Sequence, residues 1–464
     1  MRTGRVDPQV RSKERHREGF LRGSEQESSA GLREPLDVAG MEQSPGALPG
    51  AVLHAAAEKP RREWPAIVRA LRNQNYRLFV TGNLLSNIGT WMQNVAQGWL
   101  VLTLTNSAFW LGVIGFAGAI PFLIFMLFGG VIADRVDKRR LLLVTQTVMM
   151  VLAFILAALT YFHHIAVWGV AVLAFLTGTA MAINNPSYQA MVPKLVKRED
   201  LTNAIALNSA QFNMSRILGP TLGGYAMVVF GMAGNFFLNG LSFLAVLYSL
   251  TKIRYPDEEL VRHEGLYDSL ISGFKYVRSI PQMYVLTWMI AISSFLSIPF
   301  LTFIPFFARN QLKVGESGLG LLLACSGTGA VLGAITVAWQ GQMRHRGRII
   351  AFCGALVMAD VVLFCYSQSF ALSLVCMFCE GYLMILTLSA VNVAMQHLSS
   401  DAMRGRVMSI YGTAFLGLPP LGSLLAGELS RHIPTGHALA AMSGISSLAY
   451  LSFFAFSRPL RELD

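Results

Sequence analysis

The chain has 464 residues, of which 53% are hydrophobic and only 14% are charged, and its mean hydropathy is +0.49. This composition excludes an ordinary soluble protein and is typical of a chain embedded in a bilayer. The formal net charge of +11 does not indicate nucleic-acid binding, because the basic residues collect in alternate loops between apolar runs.

Residues 1–63 are polar, rich in Gly, Ser, Glu and Arg, and contain no apolar stretch of the kind a signal peptide needs. We predict a disordered cytoplasmic tail. Met41 is an alternative start of translation, in which case the residues before it are not part of the protein. A short amphipathic helix is predicted at residues 64–73.

Twelve apolar runs of membrane-spanning length, about 20 residues or more, follow the tail. Their predicted boundaries are 76–104, 107–133, 141–162, 165–190, 203–230, 233–252, 283–308, 317–340, 349–368, 370–397, 406–429 and 437–457. One set of loops between them is rich in Lys and Arg, whereas the other set holds only Arg309, Lys313 and Arg431. The positive-inside rule therefore places the basic loops and both termini in the cytoplasm.

A polar linker at 253–282 divides the spans into six and six. Within it, Leu266, Leu270, Phe274 and Val277 recur at steps of four, four and three, which predicts a surface helix. The predicted domains are a tail at 1–63, a six-helix bundle at 64–252, the linker at 253–282, and a second bundle with a short tail at 283–464.

The two halves share a motif at equivalent positions. GPTLGG at 219–224 lies in the fifth span and LPPLGS at 418–423 in the eleventh, 199 residues later. Two related six-span halves are typical of transporters built from parallel repeats. The alternative is a chance similarity between two helices that contain Gly and Pro.

The loop between the second and third spans reads GVIADRVDKRR, residues 130–140, and six of its eleven residues are charged. It resembles the first-half signature of the major facilitator superfamily. Asp137 stands where that signature has Gly, and Lys138 where it usually has Arg. The residues that match the signature are Gly130, Asp134, Arg135, Arg139 and Arg140.

Three further segments, 88–105, 185–224 and 404–427, resemble the enterobactin-exporter and macrolide-efflux branch of that superfamily. The resemblance implies an all-α inner-membrane carrier of the major facilitator fold, with twelve transmembrane helices in two six-helix bundles. It also implies export of small molecules, and it says nothing of which molecule is carried.

The resemblance implies a gating latch made by the loop at 130–140. Asp134 would dock against the N-terminus of the eleventh helix, where the helix dipole and the nearby Arg404 and Arg406 favour a negative charge. In the second half Met343 replaces the acid, so the latch is expected on one side only. The alternative is that the loop only sets membrane orientation.

GPTLGG resembles the end of the antiporter motif found in the fifth helix of exporters, matched here by Gly219, Pro220, Gly223 and Gly224. Proline kinks a helix and glycine permits close helix contact. We expect a bent, tightly packed fifth helix that seals the two halves on the outer side. Ordinary packing of small residues is the alternative.

Polar residues follow one face of the first span at steps of four, three, four and three: Asn83, Asn87, Thr90, Asn94 and Gln97. Polar side chains within a bilayer are costly unless they face partners or water. Five on one face predict a cavity wall, whereas a single one would usually be a hydrogen-bond contact between helices.

Arg216, Glu380 and Asp360 each lie about mid-way through a span, in the fifth, tenth and ninth respectively. We hypothesise that Arg216 and Glu380 approach across a central cavity and that Glu380 exchanges a proton or substrate for Arg216. The alternatives are a static ion pair, or separate partners for the two residues. Some relatives carry an acid near the position of Thr90 and Trp91, which is absent here, so proton coupling would depend on Glu380 or Asp360.

The sequence therefore predicts a secondary active transporter that exports small amphiphilic molecules, drugs or siderophores, by proton-coupled alternating access. The alternatives are a facilitator or importer of the same fold, and more remotely a membrane sensor or enzyme. No cofactor, catalytic group or metal is expected, and Cys376 and Cys379 are interpreted as packing residues rather than a redox or metal pair. The expected partners are a small molecule, protons and the lipid bilayer, with no nucleic acid, and the carrier is expected to be a monomer.

Overall fold

The computed structural model describes residues 66–135, 137–253, 266–340 and 345–463, without the side chains of 66–67, 125–135 and 266–270. Within these ranges the chain is helical almost throughout and has no strand. Nine helices there are long and apolar enough to cross a membrane. The predicted tail at 1–63, with Met41, lies outside the described residues.

The first half begins with a 3-10 helix, Ala66–Arg72, where the sequence predicts a short amphipathic helix. Five helices follow, and the last one, α5, contains both the fifth and the sixth predicted spans. Only Gly231, with φ 68° and ψ 179°, interrupts its helical backbone, and this left-handed φ favours glycine. The helices are α1 Gln74–Thr105, α2 Ala108–Arg135, α3 Lys138–Tyr161, α4 Val167–Met191 and α5 Leu201–Lys252.

In the second half, prolines interrupt two spans. The seventh span continues beyond α7 through three short helical turns that contain Pro299 and Pro305, and the eleventh breaks between α11 and α12 at Pro419. All twelve predicted spans are thus helical. The helices are α6 Leu266–Ser279, α7 Pro281–Leu296, α8 Gly315–Gln340, α9 Arg346–Tyr366, α10 Phe370–Leu398, α11 Arg404–Gly417, α12 Pro419–Leu429 and α13 Thr435–Phe456.

The linker helix α6 forms as predicted, and of the two predicted face residues whose side chains are described, one is buried and one is exposed. Val277 is 1% exposed, whereas Phe274 is 54% exposed. Gly273 lies against the side chain and backbone of Arg406 on α11. The helix therefore packs through Gly273 and Val277, and an added Cβ at Gly273 would lie only 3.1 Å from the Cβ of Arg406 on α11.

The loops define two ends of the helical bundle. The basic face is the end that carries residues 137, 192–200, 345–346 and 399–403. The opposite face is the end that carries residues 106–107, 162–166, 312–314, 367–369 and 430–434.

Pairs of glycines bring the two halves together toward the opposite face. Gly224 of α5 faces Gly320 of α8, and a Cβ atom at Gly320 would lie 2.6 Å from the carbonyl oxygen of Pro220. Gly112 of α2 and Gly427 of α12 face each other in the same way. Because the obstructing atoms belong to the backbone, a larger residue at these positions requires the helices to separate.

Two arginines of the second half also contact the first half near this face. Arg309 donates to the hydroxyl oxygen of Thr103 at 3.1 Å and lies 5.9 Å from the centre of the Trp99 ring. Arg431 lies 5.1 Å from the centre of the Phe109 ring. Arginine over an aromatic face is attractive, so these contacts add to the glycine packing that closes the opposite face.

Candidate functional site

A cavity of about 480 Å³ lies between the two halves. Helices α1 to α5 line it on one side, and α8 with the turns at 301–305 lines it on the other. Its volume falls within the range of small-molecule sites, about 300–1,000 Å³. The lining combines apolar side chains with amides and hydroxyls, which suits a molecule with both apolar and polar parts.

Four of the five polar residues predicted to form a wall on α1 line this cavity: Asn87, Thr90, Asn94 and Gln97. Asn83 does not. It is 4% exposed, and its amide nitrogen donates to the carbonyl oxygen of Phe79 in the same helix at 2.8 Å. The helical period is correct for all five, but Asn83 lies one turn closer to the basic face and packs within the first half.

Sequence reasoning missed the polar residues that three other helices contribute to the cavity. Asn239 on α5 donates to the side-chain oxygen of Gln93 at 2.7 Å, and Gln146 on α3 donates to that of Asn184 on α4 at 3.3 Å. All four line the cavity. Each is an amide inside an otherwise apolar span, and that placement is the signal that could have identified them.

Arg216 lines the cavity, but it does not form the ion pair with Glu380 that the sequence suggests. Glu380 is 3% exposed and accepts a hydrogen bond of 2.7 Å from the hydroxyl of Ser326. Ser326 itself lines the cavity. Within the described ranges Arg216 has no hydrogen bond or ion pair, although its charge lies within electrostatic range of Glu380. The serine therefore separates the acid from the cavity.

A second cavity, of about 40 Å³, adjoins Glu380 within the second half and is also lined by Ser293, Ser297 and Tyr450. Asp360 lines neither cavity. It lies beside Cys376 of α10, and one of its carboxylate oxygens is buried with no hydrogen-bond partner in the described part of the chain. Of the two deep acids, only Glu380 is linked to the central cavity.

The antiporter-like motif on α5 faces two different helices. Gly219 and Gly223 pack against α1, whereas Pro220 and Gly224 pack against α8 of the other half. Pro220 has no N–H to bond the carbonyl of Arg216, and Gly327 of α8 lies against that carbonyl. The backbone remains helical through Pro220. The motif thus allows three helices to meet beside Arg216.

The signature loop is described in part. Gly130, Asp134 and Arg135 lie on the backbone of α2, and their side chains are outside the described residues. Asp137, which replaces the usual Gly, caps the N-terminus of α3 by accepting from the backbone N–H of Arg140 at 2.7 Å. The substitution therefore has a structural role in starting the helix.

The bases near the predicted latch bind within their own halves. Arg139 donates to the carbonyl oxygens of Leu250 and Thr251, at 2.7 and 2.9 Å, where α5 ends. In the second half, Arg404 pairs with Asp401 at 2.7 Å, and Arg406 donates to Ser272 of the linker helix at 2.7 Å.

Comparison with known proteins identifies the family. Residues 67–464 match the family model described as transmembrane secretion effector. The chain belongs to this family of the major facilitator superfamily. It is a multi-pass membrane transporter, as the sequence predicts.

Curated relatives cover most of the chain. The staphyloferrin A transporter of Staphylococcus aureus is 25% identical over 387 residues, which are 82% of this chain and 95% of the relative. The multidrug efflux pump Tap of Mycolicibacterium fortuitum is 24% identical over 402 residues, 83% and 96% of the two chains. An enterobactin exporter of Citrobacter koseri is 24% identical over 354 residues, which are 74% of this chain and 79% of the relative.

Solved structures have the same fold. The nucleoside transporter NupG matches with a TM-score of 0.64 and 13% identity, over 83% of this chain and 99% of its own. A bacterial homologue of the iron transporter ferroportin in its inward-facing state matches with a TM-score of 0.63 and 13% identity. The match covers 82% of this chain and 99% of that protein. At this identity the likeness concerns the fold alone.

Proposed function

We propose that this transporter exports small amphiphilic molecules across the cell (inner) membrane by proton-coupled alternating access. The observation that carries the proposal is the cavity lined by polar side chains of both halves, with the halves packed together toward the opposite face. A substrate in this cavity contacts both halves, so a movement of one half against the other changes its access from one side to the other.

The basic face is proposed to lie in the cytoplasm, together with both termini, because Lys and Arg are concentrated in its loops. The described conformation then has its outer side closed by Gly224 against Gly320 and by Gly112 against Gly427. Export requires these contacts to open while the basic face closes. In that outward-open state Asp134 is proposed to contact the N-terminus of α11.

Glu380 is the acid proposed to carry the proton. Arg216, Ser326 and Asp360 are the charged or hydrogen-bonding groups that act on it. A proton reaching Glu380 from the cavity can pass through the Ser326 hydroxyl, which donates to the carboxylate and faces the cavity. Protonation of Glu380 removes a negative charge from the vicinity of Arg216, which couples the proton to the charge of the cavity.

Export is favoured over uptake because curated relatives include the multidrug efflux pump Tap and the enterobactin exporters. The mixed polar and apolar lining of the cavity suits amphiphilic molecules. Drugs and siderophores are therefore the proposed substrate classes.

The test is accumulation of fluorescent amphiphiles of both charge signs in inside-out vesicles, with and without an imposed pH gradient. We expect gradient-driven accumulation by the wild type and gradient-independent equilibration by Glu380→Gln. Glu462→Gln, which removes an exposed acid near the C-terminus, is the matched control. Equal gradient dependence in wild type and Glu380→Gln contradicts the coupling role. Equilibration without accumulation by the wild type identifies a facilitator instead.

A further inference from the structure

One residue supplies the charge on the lining of the central cavity. Among the described residues that line the cavity, Arg216 is the one that carries a charge, and the lining has no acid. Glu380 lies behind Ser326 rather than in the lining. The walls of the cavity therefore carry one positive charge with no negative charge in contact with it.

An arginine in this position is costly unless a negative group approaches it. Arg216 lies about mid-way along the fifth span, is half-buried in the cavity wall, and within the described ranges makes no hydrogen bond or ion pair. Its planar guanidinium can bind a carboxylate through two parallel hydrogen bonds, and such a bond is stronger in a poorly hydrated cavity than in water.

The neighbouring lining adds hydrogen-bond donors on the same cavity. The side chains of Asn87, Asn94 and Gln97 line it without a hydrogen bond to another described residue. Each carboxamide offers two N–H donors. A guanidinium together with several free amides is the donor set that recognises an anion with further oxygen acceptors, whereas a cationic drug would meet a like charge.

We propose that the cavity selects small amphiphilic anions, carboxylates above all, and that Arg216 is the residue that binds the anionic group. The inference rests on the proposed function only in taking the cavity as the substrate site. Apolar lining residues such as Trp91 and Phe243 hold the hydrocarbon part of the molecule. The helix contacts beside Pro220 keep Arg216 at the junction of α5 and α8.

The experiment is equilibrium binding to the purified full-length protein, measured by the fluorescence of matched probe pairs. Dansyl-phenylalanine is compared with its methyl ester, and dansyl-leucine with its methyl ester, because each pair differs only in the carboxylate and neither ester carries a negative charge. We expect the wild type to bind each acid at least tenfold more tightly than its ester. Esters that bind as tightly as the acids, or acids that fail to bind, overturn the proposal.

Three variants assign the effect to Arg216. Arg216→Gln should abolish the preference for acids, and Arg216→Lys should retain much of it because the positive charge remains. Arg458→Gln, which removes an exposed arginine near the C-terminus, should bind as the wild type does. A persistent acid preference in Arg216→Gln contradicts the assignment, and a melting curve for each variant separates lost binding from lost folding.

The binding assay needs neither a gradient nor transport, so the two proposals can fail separately. A protein that prefers acids but shows no gradient-driven accumulation refutes proton-coupled export and leaves the anion site standing. A protein that shows gradient-driven export of cations and binds acids no better than esters refutes the anion site and leaves proton-coupled export standing.

Discussion

Replacement of Gly320 by alanine should open the opposite face. The added Cβ would lie 2.6 Å from the carbonyl oxygen of Pro220 and 3.1 Å from the Cα of Gly224. Ordinary contact distances require α5 and α8 to separate by roughly 1 Å, because neither backbone atom can rotate away. Overpacking of this kind costs about 1–3 kcal/mol.

The strain falls on one conformation only. If the halves rock apart at the opposite face during transport, the open state does not contain the contact and is not destabilised. A penalty of about 1–3 kcal/mol then shifts the balance between the two states by about 5- to 150-fold toward the open one. Gly112→Ala should act in the same direction through α2 and α12.

The shift can be measured by double electron–electron resonance between spin labels. Suitable positions are the exposed His164 in the first half and Gln368 in the second, both near the opposite face, in a background without the five native cysteines. We expect longer distances in Gly320→Ala than in the parent protein. The control is Gly444→Ala, where an added Cβ meets open space. Identical distance distributions in Gly320→Ala and Gly444→Ala would refute the argument that this contact holds the outer side closed.

Three further substitutions test contacts near the two faces. Asp137→Ala should lower the unfolding free energy by about 0.5–2 kcal/mol through loss of the α3 cap, and Asp137→Asn should not, as thermal unfolding can check. Arg139→Lys should lower the apparent melting temperature, because one ammonium group cannot reproduce the two hydrogen bonds from the guanidinium to the end of α5. An unchanged melting temperature means that those hydrogen bonds contribute little to stability. Arg309→Gln should lengthen the distance between the same two spin labels, because its contacts with Thr103 and Trp99 join the two halves; unchanged distances would show that the arginine does not hold that end closed.

The helical architecture follows from the sequence because apolar length is a local property. Each of the twelve spans could be placed within a few residues, and the separation of the fifth and sixth at Gly231 was predicted by the gap between 203–230 and 233–252. What the sequence did not predict is that this gap contains no loop. A single glycine with positive φ is enough to change the chain direction there.

The cavity was predictable in part. The α1 wall could be found because helical spacing is regular, and four of its five members line the cavity. The relation between Arg216 and Glu380 could not be found, since both are mid-membrane charges and only tertiary packing places Ser326 between one of them and the cavity. The pairing of Gly112 with Gly427 was missed for a similar reason. A glycine in a membrane helix reveals a close contact only when the facing helix is known.

The amide face of α1 also has a consequence for how the chain enters the bilayer. Although α1 has 32 residues, it is not among the helices of the described ranges that are apolar enough to cross a membrane by themselves. Polar side chains lower the tendency of a helix to partition from the translocation machinery into lipid. Only residues 106 and 107 separate α1 from the apolar α2. The first two helices should therefore insert as one hairpin during synthesis, with α2 retaining α1 in the membrane until the rest of the half is made.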